Sequence, residues 1–576
     1  MKVFFGFFKQ YPKESIAAPL FKLLEACFDL LVPLVIATMI DKGIGAQDRS
    51  LIFRMTLVLV VLAIVGLLCA VAAQYFAAKA AVGGATKLRH DLFSHIQSFT
   101  YAQTDKVGTS TLMTRLTSDI NQLQSGVNMT LRLMLRSPII VFGAAFLAFT
   151  VDAKLATIFI ITIPILAAIV FAIMLGGIPL YRKVQGRLDR VTGSTRENLN
   201  GVRVIRAFCK ESEEIEQFNH INREQTAYQN KAGYLSSAMT PLTYIVINLA
   251  TVILLDQGAL QVQIGDVTQG EMVALINYMS QILIELVKLA NTTFLVTKAV
   301  ACGKRVETVL DIPAGFEPSN DHTADVISPS TAVAFDHVSM SYHKGGEPSL
   351  GDVHFSVSAG QTVGIIGGTG SGKSTLVNLI PRFYDVSEGR VTVMGRDVRS
   401  YDPVELRSLV GVVPQKAVLF KGTIRDNLKW GNPEASEIEL WQALTAAQAA
   451  DFVKEKDGQL DAPVAQRGKN FSGGQRQRLT IARALVGEKP ILILDDSASA
   501  LDFATEAHLR KALQSLPHRP TTFIVSQRTA SVRFADLIIV LDNGRVCGMG
   551  QHDDLLTTCE VYREIYESQF KGGESA

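Results

Sequence analysis

The sequence predicts two unlike halves: an α-helical membrane half of six transmembrane helices with long cytosolic extensions, then an α/β half built around a phosphate-binding loop. Three observations predict it. The 576 residues are 48% hydrophobic and only 19% charged, with a mean hydropathy of +0.22, too apolar for a single soluble enzyme and too charged for a wholly embedded chain. Apolar runs of about 20 residues, the length that crosses a bilayer as a helix, all fall before residue 300. Beyond them stands "GGTGSGKST", set between a short apolar run and a helical stretch.

The spans are placed at roughly Ile16 to Ile40, Met55 to Phe76, Leu131 to Val151, Leu155 to Gly176, Met239 to Leu260 and Met272 to Val296. The opening "MKVFFGFFKQYP" has an apolar stretch too short for a signal-peptide core and no small-residue cleavage site. It is expected to be an interfacial helix leading into span one. Connections after spans one, three and five are short, whereas those after two and four exceed fifty residues and carry many Lys and Arg, which assigns them to the cytosol. Within them, "KLRHDLFSHIQSF" and "ENLNGVRVIRAFCKESEEIEQF" keep helical spacing, as at Leu88, Leu92, Ile96 and Phe99, and read as helices continuing out of the membrane. A formal charge of +2 excludes a dominant polyanion-binding surface. The six cysteines, Cys27, Cys69, Cys209, Cys302, Cys547 and Cys559, show no CxxC spacing and read as reduced, structural thiols.

Composition changes after span six. A membrane domain over 1–303 is expected to pass through a linker over 304–330, rich in Pro, Ser and Asp towards its end, into a cytosolic domain over 331–576. There "TVGIIG", "ILILD" and "TFIVS" are brief continuous apolar runs, as expected of parallel strands buried on both faces. In Gly367, Gly368, Thr369, Gly370, Ser371, Gly372, Lys373, Ser374 and Thr375, glycines let successive amides point at phosphate oxygens. Lys373 reaches the outer phosphates and Ser374 ligates Mg²⁺. "ILILD" delivers Asp495 to the carboxyl end of its strand, where open parallel sheets gather ligands and an acid can hold Mg²⁺.

These pieces, with "NFSGGQRQRLTIARAL" between them, resemble the ATP-binding cassette (ABC) family in the order loop, signature, acidic strand. Gln415 in "VVPQK" looks like the Q-loop, a further Mg²⁺ ligand. Tyr342 in "SMSY" stands where the family stacks an aromatic on adenine, and "SALD" to Asp502 resembles the D-loop. Six spans before one such domain resemble an exporter-type half-transporter, multi-pass in the cell membrane with its ATP-binding domain in the cytosol. The resemblance implies a dimer in which Ser472, Gly473, Gly474, Gln475 and Asp502 meet ATP bound to the other chain, and alternating access driven by ATP and Mg²⁺.

Two positions depart from the family pattern. Where a glutamate polarises the attacking water this chain has Asp496, and in "FIVSQR" Gln527 replaces the H-loop histidine. The shorter carboxylate is withdrawn by about 1 Å, a misplacement worth on the order of a hundredfold, and glutamine carries neither proton nor positive charge. General-base assistance contributes roughly 10²- to 10⁴-fold, so the site is expected to bind ATP well and hydrolyse it slowly. A homodimer would then have no fast site. The expected partner is a second ABC half-transporter subunit carrying Glu and His, as in heterodimeric bacterial multidrug exporters. Phe471 replaces the signature leucine, and Gln466 stands where a glutamate is common.

Substrate is the least legible part. Lys22, Glu25 and Asp29 lie near one face of span one, and intramembrane charges mark pathways, so Glu25 and Asp29 are candidate cavity residues for a small amphiphilic substrate. The competing reading is internal neutralisation by Lys22, as by Lys288 for Glu285. A lipid or peptide exporter subunit and an ATP-gated regulator or channel are the alternatives; the absence of a peptidase-like segment ahead of span one weakens the peptide reading. Six spans and near-neutral charge argue against a nucleic-acid partner.

Overall fold

The computed structural model describes residues 2–313, 315–316, 330–342, 346–497, 499 and 501–570. The chain forms two compact units, Met1–Ser98 with Val107–Pro313, and Phe99–Lys106 with Ala314–Ala576.

The first unit is helical. A short helix α1 (Lys2–Gln10) precedes α2 (Pro12–Ile44) and α3 (Arg49–Gln97). After α4 (Tyr101–Val107), which falls almost wholly in the second unit, come α5 (Thr109–Val151), α6 (Ala153–Ala207), α7 (Glu211–Ile264) and α8 (Gln269–Leu310). Six of these, all but α1 and α4, are long and apolar enough to cross a membrane. The expected continuations are present in part: α3 runs on through the buried Leu88 and Leu92 but ends at Gln97, short of Phe99, and the second stretch is divided between α6 and α7 by a turn at residues 208–210, where Cys209 has φ 52°. Helix starts are fixed by side chains: Asp48 accepts from the amides of Ser50 and Leu51, Asp152 from Leu155, and Thr268 forms a capping box with Glu271. Asp41 ties the end of α2 to the start of α8 through Thr268 Oγ1 (2.6 Å) and the Gly270 amide (2.8 Å). Packing relies on small residues, as membrane helices require: a Cβ on Gly126 would lie 2.1 Å from that of Ala299. Phe142, Phe146, Ile160 and Leu67 are exposed, a surface suited to hydrocarbon. All six cysteines are free.

One boundary differs from expectation. Lys304 to Leu310 continue α8 rather than opening a linker, because Val306 and Val309 keep helical spacing and are buried, although the composition there has turned polar. Most of the remaining linker, 314 and 317–329, lies outside the described residues.

The second unit pairs two sheets. Strands β1 (Thr331–Met340), β2 (Leu350–Ser358), β4 (Glu388–Val393) and β5 (Arg396–Asp397) form an antiparallel sheet in the order β2-β1-β4-β5. The larger sheet is built from β3 (Thr362–Gly367), β6 (Val410–Val413), β9 (Ile491–Asp495), β10 (Thr521–Val525), β11 (Leu537–Asp542) and β12 (Arg545–Gly550), in the order β12-β11-β3-β10-β9-β6. A ribbon of β7 (Gly422–Thr423) and β8 (Pro463–Val464) stands apart. The larger sheet is parallel except for β12. The three runs anticipated as buried parallel strands, β3, β9 and β10, are its adjacent centre. Ile365 and Asp495 both pair with Val525, so three carboxyl ends arrive at one edge.

Candidate nucleotide site

That common edge explains the site. The chain leaving β3 becomes the loop Gly367 to Gly372, the chain leaving β9 carries Asp495 and Asp496, and the chain leaving β10 carries Ser526 and Gln527. Cross-strand amides hold the exits together: Asp496 N donates to Val525 O (3.0 Å) and Ser526 N to Ile365 O (3.0 Å). The loop needs its glycines. A Cβ on Gly367 would fall 2.1 Å from Leu541 O, and Gly372 has φ +94° with Ser349 O in the way.

The cleft so formed has a volume of about 680 Å³, within the range of small-ligand sites. Tyr342, Thr369, Gly370, Ser371, Gly372, Lys373, Ser374, Thr375, Gln415, Asp495, Asp496 and Gln527 line it. Gly367 and Gly368 instead shape it from behind, their carbonyls accepting from Lys373 Nζ at 2.9 and 2.5 Å. Burial lowers the Lys373 pKa, opposed by the two aspartates. Helix α9 (Lys373–Leu379) presents Ser374, whose Oγ donates to Asp495 Oδ1 at 3.0 Å. Burial raises the Asp495 pKa and the like charge of Asp496 adds to this, while Ser374 and Lys373 oppose it. An oxygen set of Ser374, Asp495 and the Gln415 amide suits Mg²⁺, and the direct Ser374 to Asp495 contact brings two of its members to one point. A cation there would relieve the repulsion between the aspartates.

Asp496 has a left-handed backbone, φ 45°, a conformation aspartate tolerates better than most residues. Its Oδ2 lies 3.4 Å from Gln415 Nε2. The Gln527 carbonyl accepts from Gln569 Nε2 at 2.8 Å, which holds that backbone while its side chain lines the cleft.

Tyr342 Oη lies 3.0 Å from Thr375 Oγ1, and its ring meets Tyr384 edge-on at 5.1 Å. Tyr384 in turn donates to Asp105 Oδ2 at 2.7 Å, and Tyr101 stacks on Phe383 at 4.5 Å. The segment 99–106 is thus bound to the wall behind Tyr342. Sequence reasoning missed Tyr384 and Asp105, and also Glu347, Ser349, Asn543 and Gly544 in the cleft lining. Of these only the "NG" turn after β11 carries a recognisable local signal.

Other candidates stand elsewhere. Ser472 caps α10 (Gly473–Leu485) in a capping box with Gln475, and a Cβ on Gly473 would meet open space. Asp502 caps α11 (Phe503–Gln514), accepting from Thr505. None of Ser472, Gly473, Gly474, Gln475 and Asp502 lines the cleft of its own chain. Phe471 is buried beneath Lys456. In the membrane unit, Lys22 Nζ lies 2.7 and 2.5 Å from the Glu25 oxygens. Arg136 donates to Asp29 (2.8 Å) and Glu285 (2.7 Å), and Glu285 also accepts from Ser137 (2.7 Å) and Lys288 (3.0 Å). Asp29 faces a cavity of about 250 Å³ that Glu25 does not line, and both acids have cationic partners.

Two family models match the chain: the ABC transporter transmembrane region over residues 15–286 and the ABC transporter domain over 350–499. An uncharacterized ABC transporter ATP-binding protein of Mycobacterium tuberculosis is 36% identical over 95% of this chain and 94% of its own. A Bacillus subtilis protein provisionally named multidrug export ATP-binding/permease protein YgaD is 33% identical over 99% and 98%. An ATP-bound bacterial Atm1-family ABC exporter shares the fold with a TM-score of 0.79 at 23% identity, covering 98% of this chain and 99% of that one. The chain therefore belongs to the ABC transporter family, as a multi-pass membrane protein of exporter fold whose cytosolic ATP-binding domain is an ATPase coupled to transport.

Proposed function

We propose that the chain is the slow-site subunit of a heterodimeric exporter of small amphiphiles that works by alternating access. One observation carries the reading: Asp496 and Gln527 line the same cleft as an otherwise complete set of Lys373, Ser374, Gln415 and Asp495. The loop and Lys373 bind polyphosphate, and Tyr342 offers its ring to the base. Ser374, Gln415 and Asp495 would hold a Mg²⁺ ion, which would supply charge neutralisation at the outer phosphates. Asp496 supplies a carboxylate where water must be oriented, but from a shorter arm. Gln527 hydrogen-bonds phosphate without contributing charge.

The signature residues favour a partner. They lie outside their own chain's cleft, and Ser472 is preorganised at the start of α10, ready to complete a site whose loop, glutamate and histidine come from a different subunit. An amphiphile as cargo is supported by the multidrug-export name of the 33% identical relative and by a membrane cavity that combines Val32, Ile140 and Ile284 with charged walls.

The test is the ATPase of the purified chain, alone and with a co-expressed half-transporter carrying Glu and His. Slow hydrolysis alone and rapid hydrolysis in the pair is expected. Rapid hydrolysis by this chain alone, abolished by Asp496→Asn, overturns the reading. Dye accumulation against a gradient in inside-out vesicles supports export, and ATP-dependent equilibration without accumulation identifies a gated channel instead.

A further inference from the structure

The structure assigns a second ion site to the nucleotide unit, remote from its cleft: Asp336, His337 and His354, on the facing strands β1 and β2, form a three-donor site for a zinc-class divalent transition metal. One nitrogen or oxygen from each lies within 4.8 Å of the other two. None of the three lines the ATP cleft.

The local backbone builds the cluster. In a regular strand Asp336 and His337 would point to opposite faces of the sheet. The β1 to β2 register shifts between Phe335 and Val338, and His337 has φ 49°. This irregularity re-aims a side chain, so both neighbours reach His354 across the pair. The two imidazoles lie 4.9 Å apart between centroids and 24° from parallel. Asp336 divides its oxygens, Oδ2 accepting from Arg390 Nε at 3.0 Å and Oδ1 standing 3.6 Å from His354 Nδ1.

His337 has the support a metal ligand needs. Its Nδ1 lies 2.6 Å from Asp352 Oδ1, which fixes the tautomer and leaves Nε2 as the donor, the carboxylate-to-histidine arrangement that orients metal ligands. Two imidazoles and one carboxylate select zinc, nickel, copper or cobalt over Mg²⁺, which prefers an all-oxygen shell. In a tetrahedral shell with bonds of about 2.1 Å, ligand atoms lie about 3.4 Å apart, so closing from separations of up to 4.8 Å asks side-chain rotations of partly or fully exposed residues that draw the donors in by up to about 1.4 Å. Solvent completes the shell.

Imidazole must be unprotonated to ligate a metal, so protons compete for both histidines and affinity falls as the solution is acidified. The test uses the full chain in detergent, stripped with chelator and dialysed against Zn²⁺ at pH 7.5 and pH 6, with bound metal counted. One equivalent lost in His337→Ala/His354→Ala, undiminished by excess Mg²⁺ in the parent chain and weakened at pH 6, is expected. Asp352→Asn keeps all three ligands and should weaken binding about 10- to 100-fold. Unaltered ATP binding and thermal transition in these variants show that the fold is intact. Equal Zn²⁺ stoichiometry and affinity in the double variant and the parent overturns the site, as does displacement by Mg²⁺.

Discussion

In the nucleotide cleft Asp495 and Asp496 stand side by side, while Lys373 is engaged by the loop carbonyls. In the membrane unit Glu25, Asp29 and Glu285 are each matched to Lys22, Arg136 or Lys288. The first arrangement leaves a repulsion between neighbouring carboxylates that a bound cation would relieve. The second consumes its charge internally, joining α2, α5 and α8 through one guanidinium. Acids gathered to bind a ligand should therefore weaken the resting fold, and acids gathered to hold helices should strengthen it.

The sharpest way to break this contrast is Arg136→Leu. Removing one partner of a buried ion cluster leaves uncompensated carboxylates, at about 3–5 kcal/mol, and thermal unfolding in detergent should show a large loss that Arg136→Lys partly restores. An unchanged transition would mean that the cluster is solvated. Lys373→Ala acts on the other pole: ATPase should fall about 10²- to 10³-fold with little change in the thermal transition of the nucleotide-free chain. Asp496→Glu should raise hydrolysis at this site about 10- to 100-fold by returning the carboxylate's reach. No gain would point to the left-handed backbone at this position or to Gln527.

Asp495→Asn separates the two kinds of cluster by pH. The folded pKa of Asp495 lies above its ordinary 3.8 because burial and Asp496 disfavour the charge. Ionisation therefore costs the folded state more than the unfolded one. The penalty is absent at low pH and sets in as pH rises through the raised value. At neutral pH without Mg²⁺ the asparagine variant should melt higher than the parent, and the gap should close on acidification. The smallest effect expected is that of Tyr384→Phe, which removes one hydrogen bond to Asp105, about 1 kcal/mol, read as a small drop in the unfolding temperature of the nucleotide unit.

The cleft was largely legible because its chemistry is local in the chain. Gly367 to Thr375 must turn tightly within nine residues, and Asp495 must end an apolar strand; both constraints are written in adjacent residues. The edge that joins them to Gln527 follows from three consecutive buried strands. Arg136 was not legible as the hub of the membrane charges, because its partners lie 107 and 149 positions away and nothing local marks it. Tyr384 and Asp105, 279 positions apart, are hidden for the same reason. The end of α8 was misjudged because composition turns polar before the helix does. The bulge that brings His337 beside Asp336 leaves no trace in residue type at all.

The segment 99–106 has one more consequence. The nucleotide unit is not a continuous stretch of chain: Tyr101 covers Phe383 and Asp105 holds Tyr384, yet both are delivered from between two membrane helices. No single cut releases the unit whole. A fragment beginning after α8 would bare an aromatic wall next to Tyr342, and adding the missing octapeptide in trans would be the simplest repair.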